Sequence, residues 1–192
     1  MSIIENFAEL SAQEQRSFAE ALVKTINSER IFTADTDFAI DKVEPYEMSG
    51  DLVIEITQTD PIEVSRNATW TALDEDSAEE AAGEYEEDVD YEGSTFEALE
   101  KAFKTLSATI DGYTVSLQVD DMESEEFSGA TVKRISHEDD GIGEYEYWGH
   151  VGYDSRPYVE VEGTIVTACK GYLSLWVEPS NTPAPAADEE TE

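Results

Sequence analysis

The chain has 192 residues, 46 of them acidic and 11 basic, for a formal net charge of −35. With 40% hydrophobic and 10% aromatic residues it can bury a real core, so the charge does not imply wholesale disorder. The same charge argues against direct nucleic-acid binding, which rests on Lys and Arg neutralising phosphates, and against docking on anionic lipid.

Taken in chain order, the first thirty residues read as helix. Ile3, Ile4, Phe7 and Leu10 form a short apolar turn. Ser11 and Glu14 then make a capping box, and Phe18, Leu22 and Ile26 share one face, which predicts a helix over about 11–28. A three-stranded meander follows. Phe38 and Ile40 alternate with acids, residues 49–51 supply a turn, Leu52, Ile54 and Ile56 alternate again, and Ile62 and Val64 open a run that reaches Trp70. Residues 74–93 contain eleven acids and no base, and are expected to be an acidic insert, a solvated loop or frayed helix.

Ser94 is a helix cap. Phe96, Leu99, Phe103, Leu106 and Ile110 keep helical spacing, which predicts a second amphipathic helix over about 94–110. Asp111-Gly112 turns into a strand from Tyr113 to Val119. Further strands are expected over 130–137, 144–153, 158–161, 164–169 and 172–177, with hairpin turns at Glu162-Gly163 and Lys170-Gly171. The Pro, Ala and acid-rich residues 179–192 are expected to be a disordered tail.

Helices and strands in this order predict an α+β fold with mainly antiparallel sheet. One domain over 1–178 with the insert at 74–93 is expected, the alternative being two subdomains, 1–73 and 94–178. No basic n-region opens the chain, and no apolar run nears the roughly 18 residues of a membrane span. A cytoplasmic protein is expected, in the host cytoplasm if it is phage-encoded, and the single cysteine fits a reducing compartment.

Catalytic chemistry finds little support, and the chain is expected not to be an enzyme. Cys169 lies in an apolar strand, where cysteine acts as a small hydrophobe. Neither a G-x-S-x-G elbow nor a phosphate-binding glycine loop occurs. Asp88, Asp90, Glu92 and Gly93 imitate the opening of an EF-hand loop, but its twelfth position, where the bidentate glutamate belongs, holds Leu99. No metal and no cofactor are expected.

The charge itself is the functional signal. Residues 67–100 hold 13 acids and no base, whereas residues 1–66 hold 14 acids and 5 bases. Salt adaptation spreads charge more evenly and favours Asp, yet here Glu outnumbers Asp by 30 to 16. Duplex DNA carries one charge per roughly 1.7 Å, so 35 charges equal about 60 Å of duplex. A compact chain of this length has a radius of gyration near about 16 Å. A Lys/Arg-lined channel would therefore attract this protein as it attracts DNA.

The expected function is that of a nucleic-acid mimic, an inhibitor of a basic nucleic-acid-binding protein such as the nuclease of a restriction or CRISPR defence. Viral anti-restriction and anti-CRISPR proteins are the class in which this physics is useful. The alternatives are a small acidic adaptor or chaperone for a basic client, and a salt-adapted protein of unrelated function. The candidate contacts are Asp74, Glu75, Asp76, Glu79, Glu80, Glu84, Glu86, Glu87, Asp88, Asp90 and Glu92 in the window. A second cluster is Asp120, Asp121, Glu123, Glu125 and Glu126. A third is Glu138, Asp139, Asp140, Glu144 and Glu146 with the aromatic anchors Tyr147 and Trp148.

Overall fold

The computed structural model describes residues 3–84, 88–137 and 159–180. They form an α+β fold with mainly antiparallel sheet, and they divide into two compact units. The first unit comprises Met1–Thr59, Lys104–Asp120 and Tyr172–Glu192, the second Asp60–Phe103 and Asp121–Gly171. Neither unit is one continuous stretch of chain.

In the first unit a single 3-10 turn, Phe7–Glu9, precedes helix α1, Ala12–Glu29. The capping box forms as the sequence predicts: the Glu14 backbone N–H donates to Ser11 Oγ, and Ser11 N donates to Glu14 Oε2 at 2.9 Å. The Ser11 hydroxyl, which donates to Glu14 Oε2 at 2.6 Å, and after it the Ser11 N–H hold the Glu14 carboxyl below its ordinary value of 4.5. A depressed carboxyl stabilises the fold fully above its unfolded value and loses that contribution as pH falls through the folded one. Ser11→Ala is expected to cost about 0.5–2 kcal/mol, and the gap from wild type should narrow below pH 4.5; urea melts at pH 7 and pH 4 measure both.

The buried face of α1 is Ala19, Leu22, Val23 and Ile26, with Gln15 among them. Gln15 Nε2 donates to the Phe7 and Leu10 carbonyls at 3.0 and 3.2 Å, which fastens the 3-10 turn to the helix. Strand β1, Phe38–Pro45, pairs antiparallel with β2, Leu52–Gln58, and a bulge lies between Ile40 and Lys42. Leu52, Ile54 and Ile56 are buried and alternate with more exposed neighbours, the period-2 pattern that marks a half-buried strand.

The expected helix over 94–110 is a correction. Helix α3 spans only Thr95–Ala102, ending at Phe103, which is extended. Residues Ser107–Ile110 form strand β5, paired with the start of β6, Tyr113–His137. Two local facts explain the change. Lys104 N donates to the Phe32 carbonyl at 2.8 Å, which takes the chain out of the helical path. Asp111 and Gly112 both have positive φ, 50° and 88°, and such a two-residue turn joins strands on both of its sides.

The expected hairpins at Glu162-Gly163 and Lys170-Gly171 are also corrected. Residues Val159–Pro179 are one strand, β7. Every odd position from Val159 to Val177 is buried, Gly163 and Gly171 included, so a single alternation runs through both supposed turns. In the second unit Val159 to Cys169 pairs with β3, Ile62–Ala72. In the first unit Tyr172 to Val177 pairs with β2. Lys170-Gly171 is the point at which β7 exchanges one neighbour for the other. Strand β7 also pairs with β6.

The second unit adds two further elements from the acidic stretch. Helix α2, Ala78–Glu84, buries Ala78, Ala81 and Ala82, and β4, Asp90–Tyr91, pairs with β3. Among the described residues there are thus three α-helices, where the sequence led to two. A core of Ala68, Trp70, Val159, Val161 and Ile165 receives the alanine face of α2. Trp70 Nε1 donates to the Ala78 carbonyl at 2.7 Å, which pins the start of that helix to β3. The expected strand over 144–153 and the tail beyond residue 180 lie outside the described residues.

Candidate acidic interface

All 13 acids of the window 67–100 belong to the second unit, whose stretches contain 27 acidic and 6 basic residues, net −21. The sheet of that unit sorts charge by face. Along β3 the even residues Ala68, Trp70 and Ala72 are buried, while Glu63, Ser65, Asn67, Thr69 and Thr71 are exposed. Residues directly opposite on paired strands share a face, so register identifies the neighbours. Thr69 is flanked by Asp90 on β4 and Glu162 on β7, and Thr71 lies opposite Glu160.

Asn67 accepts from Glu92 N at 2.9 Å through its carbonyl and donates from its side chain to Glu92 Oε2 at 3.2 Å. Four carboxylates, those of Asp90, Glu92, Glu160 and Glu162, are therefore exposed around a polar strip of Asn and Thr. With strands about 4.8 Å apart, the backbones of Asp90 and Glu162 are separated by about 10 Å, and Glu160 and Glu162 by about 6.8 Å. Asn67, Thr69, Asp90, Glu92 and Glu162 line a cavity of about 270 Å³ there, in which Lys133 is the one base among the described residues.

Arg66, the base just before the window, is turned to the other face. It is 7% exposed, its guanidinium stacks 3.7 Å over the Tyr91 ring, and it donates to Thr167 Oγ1 at 3.3 Å. The strand thus shows solvent the Glu63 carboxylate, an amide and hydroxyls while its only arginine is withdrawn.

Helix α2 carries Glu79, Glu80 and Glu84, all exposed. It packs on the Trp70 side of β3, so these three acids belong to the layer opposite the Asp90 and Glu162 face. Asp74, Glu75 and Asp76 are exposed in the turn before α2. Hydrogen bonding from the Ser77 side chain, and after it from Ser77 N, which donates to Asp74 Oδ1 at 2.8 Å, holds the Asp74 carboxyl below its ordinary value of 3.8. Asp88 is exposed ahead of β4. The window is thereby split between two layers of one unit and does not form a single patch.

Of the second cluster, Asp120 and Asp121 are exposed on β6, the former in the first unit and the latter in the second. Glu123, Glu125 and Glu126 continue that strand in backbone, and their side chains lie outside the description. Glu86 and Glu87 lie outside the described residues, as do Glu138, Asp139, Asp140, Glu144, Glu146, Tyr147 and Trp148.

Glu160 and Glu162 are the residues that sequence reasoning missed. The signal for them was the unbroken alternation of β7, which makes both acids outward-facing strand positions. Cys169 is fully buried in the same strand. Among the described residues no three His, Cys, Asp or Glu side chains gather as metal ligands, and no helix is long and apolar enough to cross a membrane. Compared with known protein families, characterised proteins and solved structures, the chain matches none.

Proposed function

We propose that this is a non-enzymatic acidic protein that occupies the basic cleft of a nucleic-acid-binding protein in place of DNA or RNA. The observation that carries this reading is the sheet face on which Asp90, Glu92, Glu160 and Glu162 stand exposed on paired strands while Arg66 is buried behind them. Carboxylates held on a sheet lose little backbone freedom when a partner arrives, and low ordering cost favours tight binding. The partner class is a basic nuclease or defence complex, of the kind that anti-restriction or anti-CRISPR inhibitors engage.

Capture of partners from the native host in low salt, followed by displacement with a 20-base-pair duplex, tests this reading. The captured protein should be a nucleic-acid binder, released by duplex and by rising salt. The double variant Asp90→Asn, Glu162→Gln should bind it about 2- to 30-fold more weakly, from roughly 0.2–1 kcal/mol for each exposed pair lost. Capture that resists 0.5 M salt, or a complex in which the partner still holds DNA, overturns the reading.

A further inference from the structure

A second surface, on the first unit, has a different chemistry. Helix α1, the segment before it and the β5–β6 turn enclose a groove of about 780 Å³. Its apolar lining includes Ile4, Leu10, Phe18, Leu22, Ile110 and Tyr113. Leu22, Ile110 and Tyr113 are buried and form the floor, whereas Gln13, Glu14, Ser17 and Asp111 are exposed and form the rim.

The floor is braced before any ligand arrives. Phe18 packs edge-on against Phe7 and Tyr113, with ring centroids 4.9 and 5.1 Å away, and Ile4 N donates to Tyr113 Oη at 2.7 Å. Ile3, also in the lining, is 45% exposed. An apolar centre inside a polar rim is the anatomy of a protein interface, and an apolar groove beside a helix suits an amphipathic helix laid into it.

Charge narrows the occupant. Among the described lining residues the formal charges are those of Glu14 and Asp111, both negative. An acidic helix would meet this rim with like-charge repulsion, whereas Lys or Arg flanking an apolar stripe would complement it. We propose that this groove binds an amphipathic helix of a partner protein, apolar on the inserted face and basic along its edges. The site is independent of the acidic sheet face, which belongs to the second unit.

The test uses an 18-residue Leu/Lys peptide with helical apolar periodicity and a scrambled peptide of identical composition. Titration is by fluorescence anisotropy in 0.3 M salt, where diffuse attraction to the acidic surface is screened. The patterned peptide should bind at least tenfold more tightly than the scrambled one. Ala21→Arg, an exposed lining position, should weaken it at least fivefold, while Asp90→Asn with Glu162→Gln leaves it unchanged. Ser17→Arg, also exposed and lining, provides a second variant should the first unfold by circular dichroism. Equal binding of the two peptides, or insensitivity to folded arginine variants, overturns the proposal. A wild-type dimer that Ala21→Arg dissociates also overturns it, since the groove would then hold a second copy of the chain.

Discussion

Trp70→Ala is expected to be the most damaging single substitution in the second unit, costing about 3–5 kcal/mol. The side chain is 5% exposed, lies in the unit's core cluster and donates its indole N–H to the Ala78 carbonyl. Truncation removes apolar contacts, leaves a cavity and frees the start of α2 at once. Against a typical total of 5–15 kcal/mol, that is a large share of what holds a domain together. With a urea slope near 2 kcal/mol/M the midpoint should drop by about 2 M.

Two further readings separate packing from the hydrogen bond. Trp70→Phe keeps most of the ring but not the donor, and should cost about 1 kcal/mol from that bond beyond the lost volume. In Trp70→Ala the amides of α2 should exchange with solvent much faster, because an isolated seven-residue helix has little stability of its own. A shift below 1 kcal/mol, or unchanged exchange in α2, would show that the indole does not anchor this helix.

Gly163→Val should cost about 1–3 kcal/mol, at the upper end of that range, even though valine favours strands. A Cβ at residue 163 would lie 2.5 Å from the Thr131 carbonyl oxygen and 2.5 Å from Trp70 Cη2. Backbone cannot give way as the end of a flexible side chain can. Gly163→Ala meets the same first atom and should already destabilise, with valine adding to it. If either variant melts with wild type, the close approach of β6, β7 and Trp70 is not obligatory. Had Gly163 been a hairpin residue, alanine there would be a matter of turn geometry alone.

These two positions show which parts of the fold were legible in the sequence. Helix α1 was readable because Ser11 and Glu14 satisfy its first N–H groups and its apolar residues share a face. Glycine misled the reading of β7. Gly163 stands where the Trp70 ring and the Thr131 carbonyl leave no room for a side chain, and Gly171 where β7 changes partner, and local sequence does not distinguish either place from a turn. Parity did carry the answer, since Val161, Ile165, Cys169 and Leu173 all fall on odd positions.

At the end of α3, Leu106 and Ile110 fit helical spacing by coincidence, and the Asp111-Gly112 turn was the stronger signal for a strand before it. Helix α2 was illegible for a different reason. Its buried face is only Ala78, Ala81 and Ala82, too small to stand out among eleven acids, and Trp70, which receives it, is distant from any helical pattern. The candidate interface inherited both errors. Asp90 and Glu92 were found by charge alone, whereas Glu160 and Glu162 required the register of β7.

Strand β7 also sets the order in which the protein can assemble. It pairs with β3 across separations of 87 to 107 residues and with β2 across 115 to 125. On a ribosome it emerges after every other described element, so neither unit can complete its sheet while synthesis of those elements is under way. Until then β2 and β3 each lack the neighbour they will later have, and unpaired strand edges invite association between nascent chains. A strongly negative chain repels its copies during that wait. The acidity then guards a slow, late-closing topology as well as shaping a surface.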